Sequence, residues 1–212
     1  MAEDVFASGR KIFCVDHDFH PDRARYALEA SNPLYARQDM GAGITFILNA
    51  AHQAKYAPYG LKRGFFPKPD ETLDFPECQF LTLPSYGGQA AYVLTADGLT
   101  IVWLTGICDN YIPTRRDTRV IDELRQRGIS PDILLVGSPT GIGPEMAHGI
   151  RETVQAAEPL GAGAVFVLGH PPLERKVRDQ LRRNGHDTRR LQCAENPGDS
   201  FPCVHQDARG GI

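Results

Sequence analysis

The sequence has little of what marks a secreted, membrane-spanning or disulfide-bonded chain. Its five cysteines lie far apart with no C-x-x-C pair, so neither a disulfide framework nor a thiolate zinc site is indicated. No apolar run approaches the roughly 18 residues that cross a bilayer, and the acidic start Met-Ala-Glu-Asp does not resemble a targeting segment. We therefore expect a cytoplasmic protein with no membrane partner.

An excess of positive charge is also missing. Lys and Arg number 23 against 26 Asp and Glu, a net charge of −3, so we expect no nucleic-acid partner. The apolar share of 42% and the charged share of 23% are those of a globular protein. A chain of 212 residues without an internal repeat or a low-complexity linker predicts a single domain over residues 1–212.

The second half of the chain alternates between strand and helix patterns. Two apolar runs, 90–94 and 99–104, are joined by an Asp-Gly turn and predict a hairpin. Together with the segments that follow, the pattern predicts the element order ββαβαβαβ for this half of the chain. After the hairpin, the helices are expected over 118–127, 144–157 and 172–184, and the strands over 132–136, 164–168 and 188–193.

The first half is less regular. Residues 11–15 predict a strand, 22–30 a short helix opened by an acidic residue, and 44–56 a longer helix with few charges. The segment 57–75 contains three prolines among glycines and aromatic residues, which predicts a long ordered loop.

A dense polar cluster follows the first predicted strand, in the stretch DHDFHPDR at 16–23. The nitrogens of His17 and His20, with the oxygens of Asp18 and Asp22, are donors that zinc, iron or manganese accepts. The alternative is that Asp22 caps a helix, that the other aspartates form turns, and that the histidines are solvated.

Two further candidates follow predicted strands of the second half. His170 comes after the strand at 164–168, at the end where α/β folds build their sites, although it would equally cap the next helix. Ser138 and Thr140 lie in a glycine-rich stretch before the helix at 144–157, where backbone amides attract anions. The alternative for this stretch is a plain connection.

Several short motifs, taken in order, resemble the metallo-β-lactamase superfamily and its lactonase-like branch in particular. In that family a strand, a turn ending in histidine, a D-G hairpin, an aspartate loop, a helix, a further strand and a strand ending in a ligand histidine follow one another. The corresponding stretches here are DETL at 70–73, LPSY at 83–86, DG at 97–98, TGICD at 105–109, DILLV at 132–136, VFVLGH at 165–170 and ENPGDSF at 195–201.

The resemblance implies an α/β fold, the αββα sandwich of that superfamily, here shortened at its N-terminus. Of the family motif H-x-H-x-D-H, His20 and Asp22 remain, whereas Arg23 stands at the last histidine of the motif. The family's third-histidine position falls on Tyr86 or Gly87. Only 16 residues precede His17, so one layer would be short of strands. We expect a homo-oligomer or a subunit of a hetero-oligomer that covers the resulting sheet edge.

The first functional hypothesis is a metal-dependent hydrolase with an atypical, mononuclear site and a small anionic substrate. Its cofactor is a divalent metal, zinc first, with iron or manganese as alternatives. The metal ligands are His20, Asp22 and His170, with His17 as a further imidazole. The other proposed site residues are the carboxylates Asp18, Asp22 and Asp109, which complete the shell or act as base, and the substrate contacts Arg23, Tyr86, Ser138 and Thr140.

The second hypothesis is a metal-free, catalytically inactive member of the same fold that acts as a binding module or as a subunit of an oligomer. It rests on the lost ligand positions and on the short N-terminal segment. Both hypotheses place the histidines at 20 and 170 in one region of the fold, and they differ in whether a metal is held there.

Overall fold

The computed structural model forms two compact units, Met1–Lys68 and Pro69–Ile212, and each is described by itself. The expectation of a single domain over 1–212 stays a prediction. Across its described residues, no helix is both long enough and apolar enough to cross a membrane. The residues that the structure describes are 13–14, 26–28, 45–47, 50, 53–59, 64–76, 78–86, 89–104, 119–136, 144–167 and 171–192.

The first unit contains a parallel sheet of four short strands in the order β1-β2-β3-β4. A short helix, α1, spans Gln53–Tyr56 and continues into a 3₁₀ turn at Ala57–Tyr59. The predicted strand at 11–15 is confirmed in β1. The strands are β1 Phe13–Cys14, β2 Tyr26–Leu28, β3 Thr45–Ile47 and β4 Gly64–Phe65.

Three predictions for this half are wrong where the structure describes it. The helix expected over 22–30 contains strand β2, and the helix expected over 44–56 begins instead with strand β3. Both strands pair with neighbours on each side, and this tertiary pairing outweighs the weak helical preference of such short runs. The loop expected over 57–75 contains strand β4, and the last four residues of this predicted loop, 72–75, form a further strand.

The second unit is built on a seven-stranded sheet in the order β11-β10-β9-β8-β7-β6-β5. Strands β5 to β8 pair antiparallel, and β8 to β11 pair parallel. From β7 onward the elements follow the predicted order ββαβαβαβ, which is confirmed. The elements are β5 Thr72–Phe75, β6 Cys78–Tyr86, β7 Gln89–Ala96, β8 Leu99–Leu104, α2 Arg119–Gln126, β9 Ile133–Val136, α3 Pro144–Ala157, β10 Ala164–Val167, α4 Pro171–Arg183 and β11 Leu191–Gln192.

Local sequence explains why these elements begin and end where they do. The β7–β8 hairpin turns at Asp97 and Gly98, whose φ angles of 52° and 77° are those of a tight turn with two left-handed residues. Helix α2 buries Val120, Ile121 and Leu124 on one face. These residues are spaced as one helical face requires, so the sequence pattern and the structure agree.

Both faces of the large sheet carry buried side chains. On one face, Val93, Val102 and Leu134 lie opposite one another across β7, β8 and β9 and belong to the core cluster that includes residues of all three helices. On the other face, Tyr92 and Trp103 are stacked with ring centroids 5.8 Å apart, and both are buried. Burial on two faces is typical of a sheet that forms an inner layer of a sandwich.

The longest strand, β6, is with β5 one of two strands of this unit whose bounds the sequence did not predict. It covers nine residues and includes the LPSY stretch, which the resemblance assigned to a turn. Its pairing with β7 shifts register between Leu83 and Tyr86, the interval that contains Pro84. A proline cannot donate to a strand ladder, so it is tolerated at such an irregularity.

Candidate functional site

The carboxyl ends of three neighbouring strands meet at one edge of the seven-stranded sheet. Leu104, Val136 and Val167 are the last residues of β8, β9 and β10, and the register places them side by side. All three are buried, so the ends of these strands are firmly packed. Chain segments that follow the three strands therefore start from one place, which we call the carboxyl edge.

Two of the predicted site residues follow these strands at short range. Asp109 comes five residues after the end of β8, and His170 comes three residues after the end of β10. The strands thus bring the origins of both segments to the carboxyl edge.

Tyr86 ends β6 at the same edge. It pairs with Gln89 at the start of β7, and β7 in turn pairs Ala91 with Leu104 at the end of β8. The position where the resemblance has a histidine therefore lies two strands away from the end of β8. Its assignment as a substrate contact stays a prediction.

Every predicted site residue except Tyr86 lies outside the described residues, and the roles of all of them stay predictions. Within the part of the chain that the structure describes, no group of three or more His, Cys, Asp or Glu side chains is placed to hold a metal ion. The predicted residues outside the described part are His17, Asp18, His20, Asp22, Arg23, Asp109, Ser138, Thr140 and His170.

A second polar cluster, which sequence reasoning missed, lies where α3 ends. The His186 ring contacts Glu158 Oε1 through Nδ1 at 2.8 Å and Gln155 Nε2 through its own Nε2 at 2.7 Å. An ionised carboxylate only accepts hydrogen bonds, so a neutral ring carries its proton on Nδ1 and accepts from the Gln155 amide at Nε2. These residues are about thirty positions apart, and no local pattern in the sequence pointed to the contact.

Charged residues next to this cluster are held by different partners. The Arg189 guanidinium donates to both carboxylate oxygens of Asp187, and these hydrogen bonds lower the pKa of Asp187 from 3.8 to about 2. The neighbouring Arg190 instead donates from Nη1 to the carbonyl oxygen of Ala162 at 3.1 Å. The two adjacent arginines therefore differ, because one is ion-paired and the other bonds a neutral acceptor.

Comparison with known proteins gives matches at the level of structure. No family model and no curated protein matches the sequence. The zinc-bound PqqB of Methylobacterium extorquens superposes with a TM-score of 0.53 at 13% identity, over 86% of this chain and 78% of that protein. The β-hydroxylase CmlA gives a TM-score of 0.50 at 11% identity, over 79% of this chain and 43% of that protein.

A third solved structure, the metallo-β-lactamase fold protein YhfI of Bacillus subtilis, matches at 14% identity with a TM-score of 0.46, over 75% of this chain and 72% of that protein. The superpositions on PqqB and CmlA agree with the mixed α/β architecture and the multi-stranded sheet described above. The lactonase-like branch stays a prediction. At the level of architecture, the resemblance seen in the sequence is confirmed, and the chain has the metallo-β-lactamase fold.

Proposed function

We propose that the protein is a metal-dependent hydrolase with an atypical, mononuclear site at the carboxyl edge, acting on a small anionic substrate. One observation carries the proposal: β8 and β10 flank β9 in parallel register, and they lead within a few residues to Asp109 and His170. A carboxylate and an imidazole that follow neighbouring strand ends are residue types that coordinate zinc.

The donor chemistry of the chain fits a divalent cation. His170 would supply one nitrogen at the carboxyl edge, and His20 with Asp22 would supply the rest of the shell, with His17 as a further imidazole. Zinc suits this mixed nitrogen and oxygen set, and iron or manganese would also suit it. When bound, such a metal lowers the pKa of a coordinated water and polarises the bond to be cleaved.

The protein's own residues would then handle the proton and the substrate. Asp18, Asp22 and Asp109 are the carboxylates that would complete the shell or, where they are not ligands, accept a proton as general base. The start of α3 at Pro144 gives the preceding glycine-rich stretch a positive helix end for an anion. The residues that would contact the substrate are Arg23, Tyr86, Ser138 and Thr140.

Elemental analysis of purified full-length protein tests the proposal. We expect close to one zinc, iron or manganese ion per chain in the wild type. His20→Ala and His170→Ala should each lose most of this metal. His186→Ala is the matched control, because that imidazole contacts Glu158 and Gln155 and should leave the metal content unchanged. Metal-free wild-type protein, or full occupancy in both single variants, would refute the proposal.

The alternative is a metal-free, inactive binding module or an oligomer subunit. It is favoured by Tyr86, which ends β6 at a position where the resemblance has a histidine. For either function we propose a homo-oligomer or a subunit of a hetero-oligomer. Light scattering after size exclusion, with a hydrolysis assay on the same fractions, distinguishes the hydrolase from the inactive module. Turnover by a metal-loaded species excludes the inactive module.

For cell location we propose the cytoplasm. The cysteines are widely spaced in the sequence, and Cys78 is buried and is not part of a disulfide, which suits a reducing compartment. Fractionation of expressing cells, with immunodetection of the native chain, checks this; recovery only from membranes or the medium contradicts it.

A further inference from the structure

A cavity of about 70 Å³ lies in the second unit, close to the starts of β9 and β10 and to the ends of α3 and α4. Its wall is mainly apolar and includes Leu134, Val154, Val165 and Leu181. Leu134 and Val165 are the second residues of their strands, so the cavity is at the opposite end of these strands from the carboxyl edge. It is therefore separate from the site proposed above.

Four ionisable side chains line the cavity, and three of them are already engaged. Glu158 accepts a hydrogen bond from His186 at 2.8 Å, and Asp187 is ion-paired with Arg189 at 2.7 Å. Arg190 donates one hydrogen bond, to a carbonyl oxygen; no carboxylate of the described residues lies within ion-pair distance of it, although its charge helps to lower the pKa of Asp187. A guanidinium has five N–H donors, so Arg190 keeps donors for an anion.

The size of the cavity limits what can enter it. An apolar cavity of about 150 Å³ holds the six carbons of benzene, so about 70 Å³ holds an aliphatic group of about three carbons. The part of the wall made of leucine, valine and alanine side chains offers water few hydrogen-bond partners. The cavity thus selects a short apolar group, and Arg190 selects a negative charge beside it.

We propose that this cavity binds a short aliphatic monocarboxylate, with a tail of about three carbons against Leu134 and Val165 and the carboxylate on Arg190. The site has the two parts that small-molecule sites combine, an apolar wall and a placed charged group. A cationic ligand of the same shape is disfavoured, because Arg190 repels it and Asp187 is already ion-paired with Arg189.

The proposal is tested by titrating butyrate into the full-length chain, with binding followed by NMR amide shifts. An excess of chelator keeps the carboxyl edge free of metal, so the result is independent of the proposed hydrolase. We expect a Kd of about 1 mM, a value suited to so few buried atoms. Acetate, which lacks the tail, and butylammonium, which reverses the charge, should bind at least about ten-fold more weakly, since each lacks one of the two contacts.

Two variants locate the binding. Arg190→Gln should weaken butyrate at least about ten-fold because a charge-assisted contact is removed. Arg183→Gln is the matched control, since this exposed arginine at the end of α4 does not line the cavity. Ala162→Val, which narrows the cavity without changing its charge, should also weaken binding.

Arg190→Lys provides a second test of the charge if the glutamine variant does not fold. This variant should retain more affinity for butyrate than Ala162→Val does, because the positive charge remains. The proposal is overturned if butyrate does not bind, if butylammonium binds equally well, or if Arg190→Gln and Arg183→Gln give the same affinity as the wild type.

Discussion

Asp132 and Thr100 exchange two hydrogen bonds across the start of the β8–β9 pair. The N–H of Asp132 donates to the carbonyl oxygen of Thr100 at 2.8 Å, and the N–H of Thr100 donates to Asp132 Oδ2 at 2.9 Å. Asp132 is only 7% exposed. The pair fixes the register in which Ile101 lies opposite Ile133, and this register brings the ends of the two strands to the carboxyl edge.

Removing the side chain of Asp132 should therefore destabilise the second unit. In Asp132→Ala the N–H of Thr100 loses its acceptor in a partly buried place, which costs about 1–3 kcal/mol of the free energy of unfolding. Urea unfolding, followed by the fluorescence of the single tryptophan Trp103, measures this loss. Asp132→Asn keeps a side-chain oxygen and should lose less; an equal loss in both variants would contradict the explanation.

The β7–β8 turn gives a second prediction, based on backbone conformation alone. Gly98 has a φ of 77°, which costs a residue with a Cβ atom about 1 kcal/mol, so Gly98→Ala should lower the free energy of unfolding by about that amount. Asp97→Asn should change it by less than about 0.5 kcal/mol, because asparagine accepts the left-handed φ of 52° found at this position. The same urea experiment compares them, and a harmless Gly98→Ala would disprove the turn assignment.

The second half of the fold was predictable because its signals are local. Helix α2 shows its buried face in the spacing of Val120, Ile121 and Leu124, and the Asp97-Gly98 pair marks the hairpin directly. The described strands of the first unit are two or three residues long, too short to show any period. Their pairing is decided by contacts between distant segments, which a local pattern does not contain.

For the candidate site too, the sequence predicted local features but not contacts between distant segments. That Asp109 and His170 follow strands could be predicted, because both come within five residues of an apolar run, and the structure confirms the two strands. The contact between His186 and Glu158 could not be predicted, since it depends on how the ends of two helices approach each other. Periodicity identifies elements, whereas side-chain partners depend on tertiary packing.

Tyr86 offers a test of the carboxyl edge by gain of a ligand. If a metal is held there, Tyr86→His places an imidazole at the position of the missing family histidine and should raise zinc affinity by about ten-fold or more. Competition with a chromophoric chelator measures the affinity. Gln79→His, near the other end of β6, is the matched control and should leave affinity unchanged. Equal effects of the two variants would exclude a metal near the end of β6.

The pair formed by Asp187 and Arg189 predicts a defined pH dependence. Hydrogen bonds from the Arg189 side chain and backbone lower the pKa of Asp187 to about 2, from 3.8 in the unfolded chain. Because the folded pKa is the lower one, the contribution of this pair is complete above pH 3.8 and is lost as the pH falls towards 2. The pair is exposed, so the effect on stability is small and the titration itself is the quantity to measure.

Carboxyl ¹³C NMR shifts of Asp187, recorded between pH 5 and the acid limit of folding, report this pKa directly. In Arg189→Gln the main donor is gone, and the pKa of Asp187 should rise towards 3.8. Arg183→Gln removes an equal charge from the end of α4 without touching the carboxylate, and should leave the pKa near 2. A pKa near 3.8 in the wild-type protein would show that Arg189 does not hold Asp187 in solution, and the mouth of the cavity would then carry a free carboxylate.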